Sequence, residues 1–243
     1  MKTCVIVGYG RLGRSLANIL KDKFTLSIFD IDSDRLIDAK IDGFKTISLD
    51  ELGQYKLIYL CVPISNFEES LISIKDKLAA DTVVIDTCSI KIYPVDLMEK
   101  HLPKKVQILA THPLFGPDSI KFGLPGLKFV YSPIRINKTQ LDSWLNYWSN
   151  KGIVMHKMSP KEHDKQAAYS LAMTHYIGRV LSELKLKRQD IVTVGYDSLL
   201  RVIEQTTNDS WQLSHDMLRL NPYVKDMRKD VTGAVNKVEK KLD

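Results

Sequence analysis

The sequence predicts an α/β fold, a doubly wound and mostly parallel sheet followed by an all-helical segment. Three observations carry that expectation. Short apolar or β-branched runs alternate with helical patterns as far as about residue 157. A glycine triplet, Gly8-Tyr9-Gly10-Arg11-Leu12-Gly13, lies between the first such run and the first helical pattern. Beyond Met158-Ser159-Pro160 the strand signals stop and only long helical segments follow. The expected division is therefore residues 1–157 and residues 158–243.

The first run, residues 3–7, leads directly into the glycines, and Leu16, Ala17, Ile19 and Leu20 continue at helical spacing. Each glycine answers a physical need of a Rossmann-type dinucleotide site. Gly8 allows the tight turn, Gly10 lets a pyrophosphate reach the backbone, and Gly13 lets helix and strand pack closely. The helix N-terminus then offers amide donors and a positive dipole to the phosphates. Tyr9, Arg11 and Leu12 fill the same turn. The next strand, residues 25–29, ends at Asp30, about 20 residues after the glycines, where an acid accepts hydrogen bonds from an adenosine ribose and repels a 2′-phosphate. NAD is expected in preference to NADP. On the plainer alternative Asp30 is a turn residue, and Asp32 or Ser33 caps the following helix.

A buried strand over residues 57–62 follows, and Pro63 opens a loop into a helix over residues 66–78. Val62 and Pro63 thereby join the candidates for cofactor contact. The strand at residues 82–85 ends in Asp86-Thr87-Cys88-Ser89-Ile90-Lys91. Ser89 has no visible acid partner to make it a nucleophile, which leaves a hydrogen-bonding role or a cap or turn serine. A strand over residues 106–110 then delivers Thr111-His112-Pro113-Leu114-Phe115-Gly116-Pro117 as a loop. Histidine titrates near neutral pH, and a histidine leaving a strand of an α/β sheet stands where such sheets place ligands. A strand at residues 127–131, a helix at 138–150 and a strand at 153–156 complete the pattern.

In the helical part, Asp164 and His175 are eleven residues apart, about three helical turns, and are expected on one face. His175 is either a donor to a substrate or an interface histidine. About 85 residues are marginal as an independent core, so this part is expected to pair with a second copy of itself.

The bulk numbers fit a soluble protein that handles anionic small molecules. The net charge is +6 and no Lys/Arg block is interleaved with aromatics, which argues against a nucleic-acid footprint. Lys237, Lys240 and Lys241 read as a solvated helix face. Cys4, Cys61 and Cys88 fall in or beside apolar strands with no CxxC spacing, so neither a disulfide framework nor a zinc site is expected. No apolar run reaches membrane-spanning length and the first strand starts almost at Met1. A reducing, cytoplasmic compartment is the expectation.

Together, the N-terminal GxGxxG, residues 86–91 (Asp-Thr-Cys-Ser-Ile-Lys), residues 111–117 (Thr-His-Pro-Leu-Phe-Gly-Pro) and Glu162-His163-Asp164 with Ala172-Met173-Thr174-His175 resemble the prephenate/arogenate dehydrogenase family. The resemblance runs in motif order to about Val180 and more weakly beyond. It implies a nucleotide-binding domain plus a helical dimerisation domain, and an NAD-dependent oxidative decarboxylation of a cyclohexadienol on the route to tyrosine. It makes His112 the catalytic histidine at the ring hydroxyl, Ser89 its hydrogen-bonding companion, and His175 a substrate-binding residue, with Gly116 in the same pocket. One departure stands out. Where the family places an arginine to clamp the substrate side-chain carboxylate, this chain has Gln205, with Arg201 one turn earlier and Arg179 as another substitute. A glutamine lacks the charged bidentate fork. A related hydroxyacid or imine dehydrogenase, and a dinucleotide-binding regulator without catalysis, are the alternatives.

Overall fold

The computed structural model describes residues 3–242, which form two compact units that divide between Pro160 and Lys161. In the first unit, β1 (Thr3–Val7), β2 (Thr25–Phe29), β3 (Lys45–Thr46), β4 (Leu57–Leu60), β5 (Val83–Asp86), β6 (Gln107–Pro113), β7 (Lys128–Arg135) and β8 (Val154–Lys157) make one eight-stranded sheet. Its order is β3-β2-β1-β4-β5-β6-β7-β8. The strand order reverses beside β1, where a doubly wound sheet opens its ligand crevice. From β1 to β6 every pairing is parallel, so the loops after β1, β2, β4, β5 and β6 share one sheet edge.

The helices α1 (Arg11–Leu20), α2 (Ser33–Ile41), α3 (Phe67–Ile74), α4 (Ile92–His101), α5 (Pro117–Ile120) and α6 (Lys138–Asn150) connect the strands. One core layer joins Cys4, Ile6, Tyr59, Ile85 and Leu109 of the sheet to Leu16, Ala17 and Leu20 of α1 and to Trp144 and Trp148 of α6. Phe129 lies edge-on to both tryptophans, at 5.2 and 5.0 Å between centroids. The buried indole of Trp144 donates to Tyr59 Oη at 2.9 Å, so that polar tip is satisfied inside the layer. Phe67 and Leu71 of α3 and Met98 of α4 are buried where those two helices pack together.

The fold class agrees with the sequence, and the differences lie in strand ends and direction. β7 runs antiparallel to β6: the fourteen residues between them hold only the four-residue α5, too short a helix to carry the chain back along the sheet as a parallel crossover does. The antiparallel pairing carries β6 past residue 110, with His112 opposite Val130 and Pro113 opposite Phe129. His112 is therefore a buried strand residue rather than a loop residue. The helix expected over residues 66–78 is shorter: α3 is flanked by 3₁₀ turns at Ile64–Asn66 and Lys75–Lys77. β3 has two residues, too few to show a period.

The second unit is helical in its described residues: α7 (Pro160–Ala167), a π turn (Ala168–Ala172), α8 (Met173–Glu183), α9 (Val194–Asn208), α10 (Trp211–Leu220) and α11 (Val224–Glu239). Gly178 lets α8 and α9 touch, since a Cβ there would sit 2.3 Å from Thr206 Oγ1. Thr193 and Ser210 cap α9 and α10 through their side-chain oxygens. The π turn changes the helical register between Asp164 and His175, so the 3.6-residue argument for one shared face does not apply. Their contacts nonetheless reach one neighbour, α10 and its C-cap residue Asn221. Asp164 pairs with His163 and its carbonyl accepts from Asn221, whereas His175 meets Ser214. Among the described residues no helix is long and apolar enough to cross a membrane.

Candidate active site

The glycine turn is built as its spacing requires. Gly8 has φ +96°, and a Cβ there would lie 2.5 Å from the Cys61 carbonyl oxygen. A Cβ on Gly13 would fall 1.9 Å from Gly8 O, so α1 can approach β1 only with glycine at that position. A Cβ on Gly10, by contrast, would meet nothing within 4 Å. Gly10 is the N-cap of α1, with no side-chain cap and no acid in the first turn. The positive end of the helix is thus left without a capping side chain or a neutralising acid beside the open space at Gly10, which suits the charge of a pyrophosphate. These residues fit a dinucleotide.

Around the turn, Tyr9 is buried, its amide donates to Asp30 Oδ2 at 2.6 Å and its hydroxyl to Asp42 Oδ2 at 2.7 Å. Burial and the Asp42 hydrogen bond hold the Tyr9 phenol protonated far above its ordinary range. Asp30 also accepts from the Asp32 amide through Oδ1 at 2.9 Å, so one carboxylate fastens the glycine turn to the end of β2. These are the turn contacts of the plainer reading, and each carboxylate oxygen keeps a second lone-pair direction. Asp32 caps α2 by accepting from Asp34 N. Leu12 packs against the core, while Arg11 is exposed and donates to Asp118 Oδ2 at 2.9 Å, bridging the glycine turn to the segment after β6. Val62, half-buried, comes within 3.2 Å of a Gly8 Cβ position, and Pro63 beside it is exposed.

Ser89 and His112 follow or end neighbouring parallel strands, β5 and β6. The Ser89 hydroxyl is buried and has no hydrogen-bond partner among the described residues. His112 is 6% exposed. Between them lies a group that sequence reasoning did not assign. Asp86 and Lys91 are both fully buried and form an ion pair. Asp86 Oδ1 accepts from Thr111 N at 2.9 Å, Oδ2 accepts from Cys88 N at 3.1 Å, and Lys91 Nζ donates to Thr111 O. Thr111 Oγ1 donates in turn to the Asp86 carbonyl. The five-residue spacing of Asp86 and Lys91 was visible in the sequence, but the partner on β6 was not.

The segment after His112 is anchored by Phe115, buried edge-on against Phe129 at 5.6 Å. Gly116 follows with open space at its Cβ position. Exposure of Arg11 and Asp118 limits their pair to a small energetic contribution.

In the second unit, His175 is 4% exposed, with Nδ1 3.1 Å from Ser214 Oγ and Nε2 3.8 Å from Asp209 Oδ2. Burial lowers its pKa, partly opposed by Asp209. Arg179 joins this cluster, donating to Ser214 Oγ at 3.3 Å and Asp209 O at 2.7 Å while its guanidinium stacks on Trp211 at 5.1 Å. Arg201 and Gln205 are exposed on α9, and Arg201 donates to Ser198. Of the two candidate substitutes for the missing arginine, Arg179 is the one beside His175.

Comparison with known proteins agrees with this geometry. Residues 16–157 match the family described as "Prephenate dehydrogenase, nucleotide-binding domain", and residues 180–243 match "TYRAAT1-like, C-terminal domain". Arogenate dehydrogenase 1, chloroplastic, of Arabidopsis thaliana is 36% identical over 227 residues, covering 89% of this chain and 35% of that protein. Arogenate dehydrogenase 2, chloroplastic, of the same plant is 35% identical, covering 76% and 54%. The chain thus spans about a third to a half of the length of these relatives. Among solved structures, prephenate dehydrogenase from A. aeolicus in complex with hydroxyphenyl propionate and NAD+ superposes with TM-score 0.80 at 20% identity, covering 99% of this chain and 90% of that one. Synechocystis arogenate dehydrogenase gives TM-score 0.71 at 18% identity, covering 100% and 93%, and both show a common fold. With the family match spanning more than half of its length, this chain belongs to the prephenate dehydrogenase family through its nucleotide-binding domain.

Proposed function

We propose that the protein is an NAD-dependent dehydrogenase that oxidatively decarboxylates prephenate or arogenate. The observation that carries this reading is the buried Ser89 hydroxyl without a partner, tied through Asp86 to the strand bearing His112, at the sheet edge that also holds the glycine turn. The two curated relatives named above are arogenate dehydrogenases by name, which makes arogenate the first substrate to try.

When bound, the nicotinamide supplies the hydride acceptor. Gly8, Tyr9, Gly10, Arg11, Leu12 and Gly13 hold the pyrophosphate, Asp30 reads the ribose and disfavours a 2′-phosphate, and Val62 and Pro63 border the cofactor. Ser89 and His112 engage the ring hydroxyl. As hydride leaves the carbinol carbon, the His112 imidazole takes the hydroxyl proton. The bond to the ring carboxylate breaks, carbon dioxide departs with its electrons left in the ring, and the proton returns to the phenolic oxygen. Gain of aromaticity makes the step irreversible. Gly116 leaves room at its position for the ring, and His175 and Arg179 receive the side-chain carboxylate, the fork of Arg179 replacing the arginine absent at Gln205. Arg201 and Gln205, exposed on α9, are secondary candidates for that contact.

The helical residues 158–243 act in this reading as the substrate and dimerisation domain. Val180, Val194, Leu199, Val235 and Val238 are exposed on α8, α9 and α11, and a homodimer through these helices would cover them. The three free thiols suit a reducing compartment, cytoplasmic in our reading. The test is product identity. Incubation with NAD and arogenate should yield tyrosine and carbon dioxide by mass spectrometry, or with prephenate 4-hydroxyphenylpyruvate; no conversion of either would refute the reading.

A further inference from the structure

We propose that the buried Asp86–Lys91 ion pair is a positioning device that sets Ser89 and His112 relative to one another. The inference rests on the dehydrogenase reading above, but its geometry stands independently. The pair is fully buried, and burying two charges costs desolvation that their mutual attraction seldom returns with profit. An apolar pair would serve the core at least as well. What an apolar pair could not do is grip backbone on both sides.

The Asp86 carboxylate takes three donors: Lys91 Nζ, the amide of Cys88 and the amide of Thr111. Cys88 immediately precedes Ser89 and Thr111 immediately precedes His112. Lys91, two residues beyond Ser89, closes the frame by donating to the Thr111 carbonyl, and the Thr111 hydroxyl returns to the Asp86 carbonyl. The residues flanking Ser89 and the residue preceding His112 are therefore fixed to one charged centre. β5 and β6 pair only as far as Ile85 and Leu109, so these contacts continue the registration beyond the end of the ladder. Asp86, Lys91 and Thr111 are positioning residues, acting through the two side chains that meet the substrate.

The test combines the paired substitution Asp86→Asn/Lys91→Met, which removes both charges together, with Thr111→Val, which removes only the hydroxyl tie. Three quantities are read in each full-length variant: the turnover number, the NAD dissociation constant, and the NMR signals of the His112 ring, assigned with His112→Asn. Turnover should fall about 10²-fold in the double variant, the loss expected of a slightly misplaced catalytic group, and less in Thr111→Val. NAD affinity should stay within about twofold and the His112 signals should shift or broaden, neither of which a general loss of stability predicts. If the double variant does not fold, Thr111→Val decides alone on the same readouts. Wild-type turnover with unshifted His112 signals in the folded variants would overturn the proposal. If the wild-type enzyme itself converts neither substrate, the dehydrogenase reading fails, and the His112 signals still decide the positioning claim.

Discussion

Ser89 carries a buried hydroxyl with no partner among the described residues, at a cost of about 1–3 kcal/mol for a group of this kind. Ser89→Ala should therefore match or exceed the wild-type melting temperature while turnover drops at least about tenfold. A destabilised alanine variant with normal turnover would make Ser89 a structural serine. His112→Asn should lose on the order of 10²–10⁴ in turnover with NAD affinity nearly unchanged, checked by steady-state kinetics and calorimetric titration. His175 yields a pH prediction. Burial lowers its pKa in the folded state, so the unfolded chain binds the proton more readily. Its contribution to stability is complete above the ordinary histidine value of about 6.5 and declines as pH falls through that value towards the lower folded one. Between about pH 7.5 and about pH 5.5 the wild-type melting temperature should fall more than that of His175→Asn, and equal slopes would contradict the assignment.

At the scale of elements, the turn between β1 and α1 separates two glycines by role. Gly13→Ala forces a Cβ against Gly8 O and should destabilise by about 1–3 kcal/mol or more, as overpacking does. Gly10→Ala meets open space and should leave the melting temperature nearly unchanged while NAD affinity falls at least about tenfold. Equal effects of both would mean that the Gly10 space receives no ligand. This turn was legible because strand, glycine spacing and helix pattern all lie within 20 residues of one another. The position of His112 was less so. Its motif stands out in the chain, but its place inside β6 depends on pairing with Val130, eighteen residues away. The Asp86–Lys91–Thr111 frame likewise joins two segments that no local period connects. In the helical unit, the π turn at Ala168–Ala172 interrupts the regular 3.6-residue period on which a shared face for Asp164 and His175 was argued.

For the whole molecule, the account expects a homodimer held by the C-terminal helices. Light scattering should report twice the 27.7 kDa chain mass, and Val235→Glu/Val238→Glu should return a monomer; a wild-type monomer would remove the dimer from the account. The doubly wound sheet was readable from alternation alone, whereas the partner of an exposed helix face is a property of the assembly and leaves no period in one chain. The central claim is the reaction itself. Its most direct test is steady-state production of reduced cofactor in four pairings, prephenate or arogenate with NAD or NADP. The account predicts turnover with NAD on at least one of the two substrates, weaker turnover with NADP because of Asp30, and loss of both in His112→Asn. Silence in all four pairings while NAD still binds would contradict it.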